Sequence, residues 1–191
     1  KRKIFCIFSN LLSLSRKIIQ STNQTKRHDF TQDNLMGSEL HGKVAGIIGC
    51  GWIGKKVANI LHAFGMKIYY FDPKVALPNS VFTRCDSLDD LLSVSDVVSL
   101  HLPLSAKTIH MIGEAQLSMM KPTALLINSS RGGLVDINAV IHALKKNKLG
   151  GYAADVFESE NRFFFQAHLG LDKIPKSWQT LERMDNVLLT P

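Results

Sequence analysis

The feature that most constrains this chain is an alternation of short apolar segments with amphipathic ones, which begins at Lys43 and continues to the end. The apolar segments show little polar alternation, which is typical of strands in a parallel sheet that is covered on both faces. Such an alternation of strand and helix predicts an α/β fold with a doubly wound parallel sheet and helices on both faces. The predicted strands span residues 44–48, 67–71, 96–100, 123–128, 152–156 and 187–189, and helices are expected over 53–64, after Ser87 and after Asp136.

Three glycines separate the first predicted strand from its helix, in the stretch VAGIIGCGWIGKKVANIL of residues 44–61. The spacing Gly49-x-Gly51-x-x-Gly54 is a weak signal alone, but between a strand and a helix it is typical of a Rossmann-type turn that binds a dinucleotide. Gly49 permits the tight turn, Gly51 lets the backbone approach a pyrophosphate, and Gly54 lets helix and strand pack closely. Asp72, at the end of the second strand, can accept both adenosine ribose hydroxyls and repel a 2′-phosphate, which favours NAD over NADP. A glycine-rich turn without a ligand is the alternative.

A second polar stretch, LLINSSRGGLVD (residues 125–136), begins as an apolar strand and ends in polar residues and glycines. Open α/β sheets bind their ligands at the carboxyl ends of the strands. An arginine at that edge can hold a carboxylate through two parallel hydrogen bonds. Arg131 is therefore a candidate binding residue, and a surface arginine in a turn is the alternative.

The acidic stretch AADVFESE (residues 153–160) follows the next strand and brings Asp155, Glu158 and Glu160 to the same edge. A carboxylate beside a histidine raises the pKa of that histidine and lets it act as an acid or base near neutral pH. Without a partner histidine, these acids are solvated loop residues. His101 also lies at this edge, where a structural histidine and a cofactor contact are equally good interpretations.

The composition limits the partners of the chain. Apolar residues make up 45% of the sequence, yet no apolar run reaches the roughly 20 residues that a membrane span needs. Three cysteines without paired metal-ligand spacing indicate reduced thiols in an intracellular protein. We therefore expect a cytoplasmic location, no metal site and no membrane.

The leading segment carries most of the net charge of +7, because eight Lys and Arg against three acids up to Lys43 leave +5 there. Phe5, Phe8, Leu11 and Ile19 recur at helical spacing, which predicts an amphipathic helix over residues 5–19. A solvated basic helix face explains this charge better than an arm that binds nucleic acid. We predict a leading helix and an irregular linker over residues 1–42, followed by the α/β domain over residues 43–191.

Four blocks of this sequence together resemble the NAD-dependent D-2-hydroxyacid dehydrogenase family. They are GKVAGIIGCGWIGKKVANILHAFGMKIYYFDP, HLPLSAKTIHMIG, INSSRGGLVDINAVIHAL and GGYAADVFESE, in the family's order and spacing. The stretch ESENRFFFQAHLGL (residues 158–171) is more similar to the D-lactate dehydrogenases than to the phosphoglycerate or glyoxylate enzymes. The implied reaction is reduction of pyruvate by NADH.

The resemblance also implies roles for individual residues. Arg131 would clamp the carboxylate of a 2-oxo acid and polarise its carbonyl, and Glu160 would pair with the catalytic histidine. Asp155 would lie near the nicotinamide carboxamide, and Asp72 would bind the adenosine ribose. The remaining implied cofactor contacts are Gly49, Gly51, Trp52, Ile53 and Gly54 at the pyrophosphate, with Leu102, Pro103, Thr108, Ser129 and Arg131 along the groove.

The ends of the chain depart from the family's pattern. The catalytic histidine of the family follows a TP or TG pair, and this sequence reads NVLLTP up to Pro191. We expect the substrate domain to be largely absent and the chain, a fragment, to be inactive alone. It would be an excised piece, an incompletely predicted gene or a degenerate protein.

The resemblance further implies a homodimer through the helix of residues 5–19 and the segment after it. The alternatives are a non-catalytic NAD(H)-binding scaffold of the corepressor kind, or another 2-hydroxyacid dehydrogenase such as a glyoxylate/hydroxypyruvate reductase or phosphoglycerate dehydrogenase.

Overall fold

The computed structural model describes residues 2–33, 35–77, 81–164 and 166–190. Phe165 of the phenylalanine run and the terminal Pro191 lie outside this part of the chain. The strands are β1 Val44–Ile48, β2 Lys67–Phe71, β3 Thr83–Arg84, β4 Val97–Leu100, β5 Leu125–Asn128, β6 Gly151–Ala154 and β7 Val187–Leu189. The α-helices are α1 Arg2–Ser15, α2 Ile18–Lys26, α3 Trp52–Ala63, α4 Leu88–Val94, α5 Glu114–Met119, α6 Ile137–Lys145 and α7 Lys176–Leu181. Short 3-10 turns cover Gly132–Leu134, Glu160–Arg162 and Leu171–Lys173.

The strands form one parallel sheet in the order β3-β2-β1-β4-β5-β6-β7. The chain winds outward from β1 through β2 to β3, then returns to the other side of β1 and continues from β4 to β7. This order creates a switch point between β1 and β4, where open α/β sheets form a ligand crevice. The predicted doubly wound Rossmann-type fold is confirmed.

Helices cover both faces of the sheet, as the apolar strands predict. On one face, Ile7 and Leu11 of α1 join Val57 and Leu61 of α3 in a core against β1. On the other face, α4, α5, α6 and α7 cover the second core, which includes the fully buried Leu126. Because every strand except the exposed β3 supplies side chains to both cores, slipping one of these strands by one residue would exchange its two faces.

Three helix termini have the capping residues that the sequence predicts, two at the start of a helix and one after its end. The Ser87 side chain accepts a hydrogen bond from the Asp90 amide, and the Asp90 carboxylate accepts one from the Ser87 amide, which completes a capping box at α4. Asp136 accepts from two amides in the first turn of α6. Gly65 follows α3 with a φ of 79°, a left-handed conformation that glycine adopts readily.

The prediction of one helix over residues 5–19 is wrong at its end, because α1 stops at Ser15. The backbone turns at Lys17, whose φ is 51°, and a separate helix, α2, extends to Lys26 into the segment predicted to be irregular. Because of this break, the apolar residues of α1 and α2 do not lie on one continuous face, and Ile19 is 48% exposed. Phe5 is 72% exposed although it lies in α1. Since α1 packs on the core of the sheet, the leading segment shares that core, and the boundary at residue 42 stays a prediction.

Candidate active site

The carboxyl ends of the central strands align in one row. Ile48 of β1 is paired with Phe71 of β2 and with Leu100 of β4, and the row continues through Asn128 of β5 to Ala154 of β6. The residues that immediately follow these strand ends therefore lie along the same edge. This carboxyl row consists of Asp72, Gly49, His101, Ser129 and Asp155. Sequence analysis placed each of these residues at a candidate site, and the register brings them together.

The three glycines of the turn after β1 face different surroundings. A Cβ atom on Gly54 would lie 2.0 Å from the carbonyl oxygen of Gly49, so helix and strand approach too closely for any side chain there. Gly49 has a φ of 91°, and its Cβ would lie 2.7 Å from the His101 carbonyl oxygen. By contrast, a Cβ on Gly51 would meet nothing within 4 Å. The fold itself requires two of the glycines, whereas Gly51 borders open space at the N-terminus of α3.

Asp72 ties the end of β2 to the glycine turn. One carboxylate oxygen, Oδ2, accepts a hydrogen bond from the Cys50 amide at 2.8 Å, and Oδ1 accepts from the amides of Lys74 and Val75 at 2.8 and 3.0 Å. Burial opposes ionisation of this side chain, but the three amides outweigh it and lower the pKa of the carboxyl group. A carboxylate has about four acceptor positions, so these three contacts leave acceptor capacity for a ribose, and the contact of Asp72 with both ribose hydroxyls stays a prediction.

Three polar atoms of the carboxyl row are buried without a hydrogen-bond partner among the described residues: His101 Nε2, Ser129 Oγ and Asp155 Oδ1. Buried polar atoms nearly always have a partner, and an exception needs an explanation. Burial lowers the pKa of His101 to about 4, so its imidazole is neutral at physiological pH. A ligand that lies along this edge would supply the missing partners.

The loop after β5 presents Arg131 at the edge of the row. The buried Asn128 holds the loop, because its Nδ2 donates to the Arg131 carbonyl at 2.9 Å and its Oδ1 accepts from the Ser130 amide at 3.1 Å. Ser130 Oγ donates to the Leu102 carbonyl at 3.0 Å and joins this loop to the one after β4. The Arg131 guanidinium is exposed and donates to the Ser130 carbonyl at 2.7 Å. Its remaining N–H groups face solvent and can bind an anion.

The acidic loop after β6 packs directly against the Arg131 loop. A Cβ on Gly132 would lie 2.1 Å from the carbonyl carbon of Phe157, so the two loops approach at backbone distance. Glu160 Oε2 accepts a hydrogen bond from the Phe157 amide at 2.7 Å, and its Oε1 has no such partner among the described residues. The loop conformation thus fixes one carboxylate oxygen and leaves the other available.

His110 contacts two loops of the candidate site, although the sequence did not single it out. Its Nε2 lies 3.1 Å from the carboxylate of Glu158, and its backbone amide donates to the Gly133 carbonyl at 2.8 Å. His110 therefore contacts both the acidic loop and the Arg131 loop. The signal was its position in the HLPLSAKTIHMIG block, but its left-handed backbone, with a φ of 47°, was not predictable from that block.

An aromatic cluster packs against the acidic loop. The rings of Phe157, Phe163, Phe164 and Trp178 meet edge to face, with centroids 5.0 to 5.8 Å apart. Edge-to-face pairs of this kind add to the free energy of burial. Phe163 and Phe164, which follow Glu160, therefore anchor the loop that carries Glu160.

The other predicted cofactor contacts have different surroundings. Trp52 opens α3 and is 60% exposed, with Lys56 Nζ 4.5 Å from its ring centroid. Ile53 and Leu102 are partly buried and pack against the two cores. Thr108 Oγ1 donates to the Pro103 carbonyl at 2.7 Å, which closes the loop after β4 upon itself.

In the ranges that the structure describes, no three or more His, Cys, Asp or Glu side chains gather in a group able to hold a metal ion. None of the helices in those ranges combines the length and apolarity that crossing a membrane requires.

Comparisons with known proteins agree with this geometry. The sequence model of the family described as D-isomer specific 2-hydroxyacid dehydrogenase, NAD binding domain, matches residues 8–191. A D-lactate dehydrogenase of Curvularia clavata is 42% identical over 158 residues, which are 83% of this chain and 45% of that protein. A glyoxylate reductase of Thermococcus litoralis is 37% identical over an alignment of 193 positions, gaps included. The alignment covers 96% of this chain and 54% of that protein.

Solved structures give the same result. The crystal structure of a D-lactate dehydrogenase from Lactobacillus jensenii with NAD+ superposes with a TM-score of 0.90 at 36% identity, over 100% of this chain and 58% of that one. The chain thus spans about half the length of the curated relatives that it matches.

Proposed function

Because the chain belongs to the D-isomer specific 2-hydroxyacid dehydrogenase family, as its NAD-binding domain, we propose that the whole protein is an NAD-dependent oxidoreductase of D-2-hydroxy acids. We propose pyruvate and D-lactate as its substrate pair. Within this protein, the present chain binds NAD(H) and contributes the anion-binding arginine. D-lactate dehydrogenases stand among its relatives of both known sequence and known structure, which supports this choice of substrate.

One observation carries the proposal of NAD binding: the unpartnered polar atoms of the carboxyl row lie along the same edge of the sheet as the turn with open space at Gly51. The pyrophosphate would occupy that space, where the N–H groups at the start of α3 point. Asp72 would accept from the hydroxyls of the adenosine ribose. Ser129 and Asp155 would bind the nicotinamide end, and Leu102 would line the groove between the two ends.

The substrate-binding role falls to the Arg131 and acidic loops. Bound NADH supplies the hydride for reduction of the carbonyl. Arg131 would hold the carboxylate of the 2-oxo acid, because its exposed guanidinium offers two parallel donors. Glu160 would receive a hydrogen bond from a histidine through Oε1 and favour the protonated imidazole, which then donates a proton to the substrate oxygen.

We propose that this chain alone binds NADH without turnover. The histidine that contacts a carboxylate in the described acidic loop is His110, and it contacts Glu158, not Glu160. Loss of a general acid typically lowers the rate by about 10²–10⁴-fold, and substrate orientation contributes further. The whole protein should reduce pyruvate with NADH, and Arg131→Ala should abolish most of that activity. A whole protein that turns over no 2-oxo acid would refute the enzymatic proposal.

Calorimetric titration with NADH tests the binding proposal directly. The chain should bind NADH with a Kd of about 1 mM or tighter, the range of typical enzyme substrates. Asp72→Ala should weaken this affinity, with circular dichroism as a control because Asp72 also anchors the glycine turn. No heat of binding from a folded sample would contradict the proposal.

We also propose that the protein forms a homodimer through the leading segment. Phe5, Phe30 and Met36 are 72%, 74% and 88% exposed, and Ile18 and Ile19 are about half exposed. Exposed apolar side chains concentrated in one segment favour a protein partner. Analytical ultracentrifugation should give twice the mass of one chain, and Phe5→Ser with Ile19→Ser should shift it to the monomer. A monomeric wild-type sample would contradict this proposal.

A cytoplasmic location is the remaining proposal, and the thiols support it. Cys50 and Cys85 are buried and in no disulfide. Burial, together with the charge of Asp72, raises the pKa of Cys50 to about 12, so its thiol is unreactive. Cell fractionation would test the location.

A further inference from the structure

Lys3, in the first turn of α1, lies beside the Arg131 loop, although no sequence motif singles it out. Its Nζ donates to the backbone carbonyl of Ser130 at 3.3 Å, and Nη1 of the Arg131 guanidinium donates to the same oxygen at 2.7 Å. The two cationic nitrogens therefore lie within the combined length of two hydrogen bonds. This contact joins the leading helix to a loop 127 residues further along the chain.

Neither cation has an acidic partner. The ion pairs of the described residues include neither Lys3 nor Arg131. In the neighbouring acidic loop, the Glu158 carboxylate contacts His110, and one oxygen of Glu160 accepts from a backbone amide. The first turn of α1 contains no acidic residue, so the positive end of the helix dipole adds to the uncompensated charge. Like charges this close repel each other, and an anion that contacts both would offset the repulsion.

We propose that Lys3 is a second substrate-binding residue, which donates to the same carboxylate that Arg131 holds. This inference rests on the proposed function, because it takes that carboxylate to belong to a 2-oxo acid. A carboxylate has about four acceptor positions and a lysine ammonium has three donors, of which the Ser130 carbonyl uses one. The carboxylate can therefore accept from the guanidinium through two positions and from the ammonium through a third.

The second cation affects both the affinity and the position of the ligand. Hydrogen bonds between ionised groups are about twice as strong as neutral ones, so Lys3 should tighten the binding of a 2-oxo acid anion. The anion would also join two parts of the chain, because Lys3 belongs to α1 and Arg131 to the loop after β5. Substrate binding would thereby hold the start of the leading helix against the carboxyl edge of the sheet.

Calorimetric titration of the NADH-saturated chain with oxamate, a non-reducible isostere of pyruvate, tests the inference. Lys3→Gln should lower the oxamate affinity by about tenfold, the loss of one charge-assisted hydrogen bond, and leave the NADH affinity within about twofold. Lys3→Arg keeps a charged donor and should stay within about threefold of the wild type. Lys43→Gln is the matched control, because Lys43 is also partly buried but precedes β1 at the opposite edge of the sheet. Its oxamate affinity should change by less than about twofold.

The salt dependence separates a direct contact from a structural role. If Lys3 contacts the anion, the difference in oxamate affinity between the wild type and Lys3→Gln should narrow as sodium chloride is raised, because salt screens partly exposed charges. If Lys3 only anchors the Arg131 loop, the difference should persist at high salt, and the free energy of unfolding should fall with it. The second pattern would overturn the inference.

Three other outcomes are decisive. Unchanged oxamate affinity in Lys3→Gln would overturn the inference, and an equal loss in Lys43→Gln would do the same by assigning the effect to net charge. An NADH-saturated wild-type chain that binds no oxamate would overturn it while NAD binding stands. A folded chain that binds no NADH would instead overturn the proposed function, so the two failures are distinguishable.

Discussion

The aspartates at the two edges of the sheet differ in whether their carboxylate oxygens have hydrogen-bond partners. At the amino edge, Asp96 Oδ2 accepts from the Val44 amide at 2.8 Å and Oδ1 accepts from Lys121 Nζ at 2.9 Å. At the carboxyl edge, Asp155 Oδ1 is buried without a partner among the described residues, next to Ser129 and His101 in the same condition. At the amino edge, protein groups satisfy both oxygens of Asp96, whereas the carboxyl row has buried polar atoms that a ligand could pair.

The difference shows how one fold separates stability from function. Asp96 joins β1 to the segment between α5 and β5 through paired contacts, so its contribution is to the free energy of unfolding. The carboxyl row keeps unpaired polar atoms, which lower stability and are available for binding. Substitutions at the two edges should therefore divide cleanly between stability and cofactor affinity.

The largest effect is expected at the contact between the glycine turn and α3. Gly54→Ala places a methyl group 2.0 Å from the Gly49 carbonyl oxygen, so backbone must move. We expect a loss of about 3 kcal/mol or more in the free energy of unfolding, measured with urea, because over-packing against backbone cannot relax. Gly113→Ala is the control, since its nearest neighbour is 3.5 Å away, and should cost less than about 1 kcal/mol. Equal stabilities would mean that the turn is not closely packed.

The pH dependence of stability should report the buried imidazole of His101. Burial lowers its pKa from 6.5 to about 4, so the unfolded chain takes up a proton between these values and the folded chain does not. The free energy of unfolding should therefore fall as the pH falls from 6.5 to 4, by at most about 3 kcal/mol.

Two comparisons separate this effect from others. The stabilising contributions of Asp72 and Asp96, whose folded pKa values lie below 3.8, should persist through that range and be lost only at lower pH. His101→Asn should remove most of the slope between pH 6.5 and 4. A slope that survives the substitution would assign the effect to another histidine.

Removing the amino-edge carboxylate should affect stability alone. Asp96→Ala leaves the Val44 amide and Lys121 without their partner, and should lower the free energy of unfolding by about 2 kcal/mol. The NADH affinity of the folded variant should stay within about twofold of the wild type, because Asp96 is at the opposite edge. A large loss of affinity would contradict the separation of the two edges.

The matched change at the carboxyl edge should lower the NADH affinity and leave the free energy of unfolding almost unchanged. Asp155→Asn keeps the shape and should change the free energy of unfolding by less than about 0.5 kcal/mol, because it breaks no hydrogen bond that the structure describes at Oδ1. Calorimetry should show an NADH affinity lowered by about tenfold, the loss of one charge-assisted hydrogen bond. Unchanged affinity would leave the unpaired oxygen unexplained.

Much of the fold was predictable because periodicity and caps are local signals. The ranges of β1, β2 and β7, the cap at Asp136 and the glycine turn follow from apolar runs and short polar motifs. The sequence did not predict β3, because its two exposed residues have no apolar pattern. It did not predict α5 and α7, because six residues make fewer than two helical turns and show little periodicity.

The site was predictable only as far as strand ends reveal it. Residues that follow strands could be placed at one edge, since parallel strands end together. The contact of His110 with Glu158 joins loops 48 residues apart, and no local pattern encodes it. The contacts of Asp72 with backbone amides likewise depend on how the turn folds back on β2.

Gly51→Ala tests the central claim most directly, because the structure gives that glycine no packing role. Its φ of −65° suits alanine, and the added methyl group would enter the open space proposed for the pyrophosphate. We predict a free energy of unfolding within about 1 kcal/mol of the wild type, because alanine restricts the unfolded chain but is a poorer N-cap than glycine. The NADH affinity should be at least about tenfold lower by calorimetry. An alanine variant that binds NADH as well as the wild type would contradict the claim that this turn holds the cofactor.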